Sequence, residues 1–154
     1  MINFKKLLLS LAIPLAAGGI GFLLSGNNTQ IYESIVRPQF APPGFIFPIA
    51  WVILYVLMGI SYYLVITSKD TPYKKKSIYV YYTQLILNSL WSLIFFKFRL
   101  FFIGFLWIVA LIVLVLYMIY LFAKANKTAA YLQIPYILWL VFAGTLSFSI
   151  FRLN

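Results

Sequence analysis

The chain has 154 residues, of which 64% are hydrophobic and only 9% are charged. A soluble domain usually carries charge on about a quarter of its residues, so this composition predicts an integral membrane protein. The sequence has no Cys and no His, and its two acidic residues are Glu33 and Asp70. Disulfides, thiolate metal sites, histidine-based catalysis and carboxylate clusters are therefore excluded within one chain.

Five apolar stretches follow one another along the chain, each close to the ~20 residues that a membrane-spanning helix needs. They cover residues 7–24, 47–67, 78–96, 101–122 and 130–150. The stretches do not alternate between apolar and polar positions, which argues against a barrel and for helices. We therefore expect one all-α domain over residues 1–154, a bundle of five transmembrane helices. Because Lys5 and Lys6 precede the first stretch, a cleaved signal peptide is the alternative for that segment.

The connection between the first two stretches, residues 25–46, is much longer than the other connections. Loops of that length are usually lids, binding loops or disordered segments. This one contains Pro38, Pro42 and Pro43, which restrict the backbone, together with aromatic residues such as Tyr32 and Phe40. The sequence therefore predicts an ordered loop that covers one end of the bundle.

The net charge of +10 is distributed unevenly between the two sides of the predicted bundle. One side has eight cationic residues: Lys5, Lys6, Lys69, Lys74, Lys75, Lys76, Lys124 and Lys127. The other side has four: Arg37, Lys97, Arg99 and Arg152. The positive-inside rule then places the N-terminus in the cytoplasm, and the long loop and the C-terminus outside. The membrane that we expect is a bacterial cytoplasmic membrane. On this interpretation the cations contact lipid headgroups, and no nucleic acid partner is expected.

Three stripes of polar and aromatic residues lie within the predicted helices. They are Gln84, Asn88 and Trp91; Trp51, Tyr55, Met58 and Tyr62; and Tyr136, Trp139 and Ala143. The amides either join helices through hydrogen bonds or anchor a ligand, and the aromatic stripes are either packing or a site. No stretch carries an ionisable Asp, Glu, His, Lys or Arg in its middle, which argues against proton-coupled transport and voltage sensing.

Four segments in order resemble one known family. They are residues 37–43 (RPQFAPP), 47–55 (FPIAWVILY), 84–91 (QLILNSLW) and 135–139 (PYILW). In these motifs the chain resembles the translocator protein family, also called tryptophan-rich sensory proteins or peripheral benzodiazepine receptors. The resemblance implies a five-helix bundle with a pocket under the long loop. It also implies a homodimer that binds porphyrins and isoquinoline- or benzodiazepine-type ligands.

Positions matching the family's pocket imply a set of ligand-binding residues, namely Tyr32, Trp51, Asn88, Trp91, Trp139 and Ala143. Gln84 adds a second amide for a ring nitrogen or a carboxylate, and Arg37 adds a cation for a porphyrin propionate. No metal site and no required cofactor are expected, and porphyrin is the ligand or substrate, metal-free rather than haem.

Three functions remain open at this point. The first is a receptor or carrier for porphyrins and related apolar ligands, with a sensory or regulatory role in tetrapyrrole or stress responses. The second is an enzyme that degrades bound porphyrin oxidatively, under light and oxygen, with Trp51 and Trp139 as its catalytic, redox-active residues. The third is a structural membrane subunit without a ligand.

Overall fold

The computed structural model describes residues 2–154, which form helices and connecting loops without any strand. The helices are α1 (Phe4–Ser25), α2 (Asn28–Ser34), α3 (Ile46–Ile66), α4 (Lys74–Ser92), a π-helical turn (Leu93–Lys97), α5 (Phe101–Ala125), α6 (Lys127–Tyr131) and α7 (Ile134–Leu153). Five segments are long and apolar enough to cross a membrane: α1, α3, α4 with the π-helical turn, α5, and α6 with α7. The predicted five-span bundle is confirmed, and the protein is an integral, multi-pass membrane protein.

Several helix ends extend beyond the apolar stretches because polar side chains cap them. The side chains of Asn3, Asn27 and Asn126 each accept a hydrogen bond from a backbone N–H in the first turn of α1, α2 and α6. Such caps satisfy amides that have no partner inside the helix. The fifth span consequently begins at Lys127, and a bend at Leu132 and Gln133 separates α6 from α7.

The helices pack closely where one of them presents glycine. A Cβ atom added at Gly18 of α1 would collide with the ring of Tyr55 on α3. A Cβ atom at Gly59 of α3 would come within 2.8 Å of the Ser10 carbonyl oxygen on α1. Small residues let membrane helices approach in this way, so α1 is held tightly against α3.

The long loop between α1 and α3 is ordered and contains α2; we call residues 26–45 the lid. Inside the lid, the Tyr32 hydroxyl donates to the Pro42 carbonyl oxygen over 2.9 Å. At the far end of the chain, the Asn154 side chain accepts from the Val36 N–H and donates to the Val36 carbonyl oxygen, at 3.0 and 2.9 Å. The lid is therefore fastened both to itself and to the end of α7.

The direction of the helices defines two ends of the bundle. The start of α1 lies against the end of α3, because the Asn3 N–H donates to the Tyr63 hydroxyl over 3.0 Å. The start of α4, the end of α5 and the start of α6 lie at this same end, which we call the lysine-rich end. The lid covers the opposite end. Every Lys and Arg within a span lies near a helix terminus, as the sequence predicts.

Candidate functional site

A cavity of about 370 Å³ lies between α1, the lid, α3 and α4. Its walls are mostly aromatic and apolar: Leu15, Gly18, Gly19, Phe22, Asn28, Thr29, Tyr32, Gly44, Phe47, Pro48, Trp51, Val52, Tyr55, Trp91, Ser92 and Phe96. Leu15, Phe22 and Val52 are also exposed on the outside of the bundle. The cavity therefore reaches the outer surface of the bundle between α1 and α3.

Two tryptophans, Trp51 and Trp91, belong to the cavity wall, and each is held in place by its neighbours. Trp51 of α3 stacks on Tyr55, with ring centroids 5.4 Å apart. Trp91 of α4 donates its indole N–H to the Gly104 carbonyl oxygen over 3.1 Å and stacks on Phe95. Ring faces held in this way can stack on a flat apolar ligand without first being ordered by it.

The two predicted amides lie in the bundle interior, where tyrosines bind them. Asn88 accepts from the Tyr55 hydroxyl and donates to the Tyr136 hydroxyl, each over 2.9 Å. The Tyr136 hydroxyl in turn donates to the Gln84 side-chain oxygen over 2.9 Å. This chain of hydrogen bonds joins α3, α4 and α7, which is the helix-joining role that their spacing left open. The Gln84 amide nitrogen is buried, and no group within residues 2–154 hydrogen-bonds to it.

The stripe on α7 does not line the cavity but packs against residues that do. Trp139 packs edge-on against Trp51 and Phe47, at centroid distances of 6.4 and 5.9 Å. Its indole nitrogen is buried and has no hydrogen-bond partner in the part of the chain that the structure describes. Ala143 is buried in the same apolar cluster as Trp91. The three stripes thus converge, but Trp139 and Ala143 support the residues that line the cavity.

Tyr32 and Arg37 occupy different surfaces of the lid. Tyr32 is buried, lines the cavity and packs edge-on against Phe47 at 4.9 Å. Burial raises the pKa of Tyr32, although the nearby Arg37 cation opposes that shift, so its hydroxyl stays protonated at neutral pH. Arg37 is exposed, with its guanidinium carbon 4.9 Å from the centre of the Tyr32 ring. It borders a separate, open recess on the outside of the lid.

Of the eight predicted ligand-binding residues, Tyr32, Trp51 and Trp91 line the cavity, whereas Gln84, Asn88, Trp139, Ala143 and Arg37 do not. That all eight share one ligand stays a prediction. Sequence reasoning missed the wall that α1 contributes, above all Gly19, where an added Cβ would meet nothing within 4 Å. The sequence motifs and stripes gave no sign of this wall, because none of them lies in α1.

The cavity can bind a ligand by its shape, by stacking of aromatic rings and by exclusion of water. Within residues 2–154, no three His, Cys, Asp or Glu side chains come together as a metal-binding group. The polar groups on the wall are a few hydroxyls and amides, and none of the wall residues carries a charge. The arrangement can hold a large apolar molecule and orient it by aromatic contact.

Comparison with known proteins shows the family to which this chain belongs. The model of the TspO/MBR family matches residues 10–153. The chain belongs to the TspO/MBR family. It is 34% identical to the tryptophan-rich protein TspO of Archaeoglobus fulgidus, over 99% of each chain. It is 33% identical to the protein of the same name from Chlorobaculum tepidum, over 96% of this chain and 95% of the other. It is also 33% identical to protein CrtK of Rhodobacter capsulatus, over 90% and 86% of the two chains. The family resemblance found in the four sequence motifs is confirmed.

Proposed function

We propose that this protein is a membrane receptor or carrier that binds porphyrins and similar flat apolar molecules in the cavity beneath the lid. The observation that carries the proposal is the wall itself, where Trp51, Tyr55 and Trp91 all line the same cavity. Its volume of about 370 Å³ falls within the range of small-molecule sites. The sensory or regulatory role in tetrapyrrole or stress responses that the resemblance implies belongs to the same proposal.

A tetrapyrrole matches this site in shape and polarity. Its flat apolar face suits the tryptophan rings, and each such stacking pair contributes ~0.5–1.5 kcal/mol beyond the burial of area. Because the cavity opens between α1 and α3, a disc larger than the enclosed volume can extend toward the lipid. Its propionates carry negative charge, and Arg37 is the lid's only cation. A propionate that emerges at the outer face of the lid would meet that guanidinium.

The test is a titration of the purified protein with metal-free protoporphyrin, followed by the porphyrin absorption spectrum. Trp51→Leu should weaken binding by about tenfold, because it removes a ring from the cavity wall. Trp107→Phe is the matched control. Trp107 donates its indole N–H to the Leu87 carbonyl oxygen and does not line the cavity. Equal losses in the two variants would contradict the site, and no binding by the parent protein would favour the structural subunit.

The second candidate function, oxidative degradation of bound porphyrin, is favoured by one contact. Trp51 lines the cavity, and its ring lies 6.4 Å from that of Trp139. An electron or radical can pass between such rings without an acid–base group. Trp139→Phe should then leave porphyrin affinity nearly unchanged but slow the loss of porphyrin absorption under light and oxygen. Equal rates with parent, variant and protein-free detergent would leave binding as the function.

A homodimer, which the resemblance implies, is part of the same proposal. The bundle exposes large apolar residues on several helices, including Val113 and Leu116 of α5. Both lipid and a second copy can cover such surface in a membrane. Light scattering of the protein–detergent complex, corrected for bound detergent, distinguishes one chain from two.

A further inference from the structure

Two lysines and two tyrosines form a compact group on the outer face of α4 and α5, at the lysine-rich end. The Lys76 ammonium of α4 lies 5.4 Å from the centre of the Tyr117 ring, and the Lys124 ammonium of α5 lies 5.5 Å from that of Tyr120. The two rings are nearly parallel, with centroids 6.5 Å apart. All four side chains are exposed. The rings thus hold two cations side by side on one surface.

No carboxylate neutralises these two cations in the described part of the chain. Asp70 lies 3.3 Å from Lys74, which precedes Lys76 in the first turn of α4, and this is the one ion pair found within residues 2–154. Glu33, the other acidic residue, lies in α2 at the lid end. Lys75 and Lys127 add two more exposed cations at the same end of the bundle. The group therefore carries uncompensated positive charge at the depth where a span meets the headgroups.

An apolar track leads away from the cations along the same face of α5. Val113 and Leu116 are exposed and precede Tyr117 and Tyr120 at helical spacing, so they share that face. A molecule that fits this surface has an anionic head for Lys76 and Lys124 and an acyl chain for Val113 and Leu116. A zwitterionic lipid fits less well, because its own ammonium would face the lysines.

We propose that Lys76, Lys124, Tyr117 and Tyr120 form a specific site for the phosphate headgroup of an anionic phospholipid. The site is independent of the porphyrin proposal, because none of its residues lines the cavity. The rings keep the ammonium groups in place, so less side-chain freedom is lost when the phosphate binds. One lipid would then stay associated with α4 and α5 longer than its neighbours in the surrounding layer.

The experiment uses the full-length protein, stripped of lipid in detergent and titrated with phosphatidylglycerol while native mass spectrometry counts the lipid bound. The double variant Lys76→Gln with Lys124→Gln should bind on the order of 25-fold more weakly, about fivefold for each lysine. Lys5→Gln with Lys6→Gln is the matched control, because it removes two exposed cations from the same end without touching the tyrosines. We expect the control to bind as the parent does.

Two further arms distinguish a specific lipid site from general attraction between lysines and anions. Tyr117→Leu with Tyr120→Leu keeps every charge, and it should give an intermediate loss because the ammonium groups are no longer held. Phosphatidylcholine and soluble glycerol 3-phosphate should not displace phosphatidylglycerol. The proposal would be overturned by equal losses in the two lysine pairs or by displacement with either competitor. It would also be overturned if the Lys76→Gln, Lys124→Gln variant kept its lipid binding and changed only its oligomeric state.

Discussion

At the scale of single residues, a substitution at Asn88 can distinguish a structural role for this side chain from a ligand-binding role. Asn88→Leu leaves the Tyr55 hydroxyl without its acceptor, whereas Tyr136 still donates to Gln84. We expect the variant to lose about 1–2 kcal/mol of stability, since a buried hydroxyl loses its partner. Porphyrin affinity should change little, because Asn88 does not line the cavity. Thermal unfolding in detergent and a porphyrin titration measure the two effects.

The control for Asn88 is the double variant Tyr55→Phe with Asn88→Leu, which removes donor and acceptor together. It should be less destabilised than the sum of the two single variants, since no hydroxyl is left unpaired. If Asn88→Leu alone weakened porphyrin affinity and left stability unchanged, Asn88 would be shown to anchor the ligand.

Gly19 offers the sharpest test of the cavity, because it faces open space on α1. Gly19→Leu should fill part of the cavity and lower porphyrin affinity by about tenfold or more. This loss corresponds to the roughly 1–3 kcal/mol that overpacking a protein core costs. The fold should tolerate it, since leucine favours helix over glycine by roughly 1 kcal/mol. Gly18→Ala is the contrasting neighbour. Its new Cβ atom collides with Tyr55, so stability should fall. An unchanged affinity in Gly19→Leu would place the ligand elsewhere.

At the scale of elements, the contact between Asn154 and Val36 ties the lid to the end of α7. Asn154→Ala should free the Val36 N–H, so hydrogen exchange in the lid should accelerate and bound porphyrin should dissociate faster. Ser149→Ala is the control, because the Ser149 hydroxyl donates to the Thr145 carbonyl oxygen within α7 and not to the lid. Exchange rates that match in the parent and both variants would mean that the lid is held by its packing alone.

Whole elements were the most predictable part of this fold from the sequence. Five apolar stretches fix five helices, because a backbone in lipid must bond to itself. The prolines between residues 38 and 43 indicated an ordered lid, and the structure confirms it. The sequence did not predict α2, the π-helical turn or the bend before α7, since these depend on caps and packing rather than on hydropathy.

Side-chain partners were less predictable than helices for the same physical reason. The spacing of Gln84 and Asn88 indicated a shared helix face, but not that Tyr55 and Tyr136 supply their hydrogen bonds from α3 and α7. Helical periodicity identifies the residues that share one face of a helix, but it does not identify the residues that face them from a neighbouring helix. The cavity wall on α1 was not predicted for a similar reason. Gly19 has no side chain, so it does not contribute to any polar or aromatic stripe in the sequence.

At the scale of the whole molecule, the charge difference between the two ends sets the expected orientation. Eight cations lie toward the lysine-rich end and four toward the lid end. A bilayer in which Lys and Arg are retained on the cytoplasmic side would place the lid outside. Since the chain has no cysteine of its own, a single introduced thiol reports its own side of the membrane without background.

The two positions for that thiol are Gln39 in the lid and Lys69 in the connection after α3, both of which are exposed. A membrane-impermeant maleimide should label Gln39→Cys in intact cells and Lys69→Cys only after the membrane is opened. Lys69→Cys removes one of the eight cations, so Thr67→Cys, also exposed and in the same connection, serves as its charge-neutral control. The reverse labelling pattern would show that the charge difference does not set the orientation. It would also put the lid, and with it Arg37, on the cytoplasmic side, where a propionate would have to arrive from within the cell.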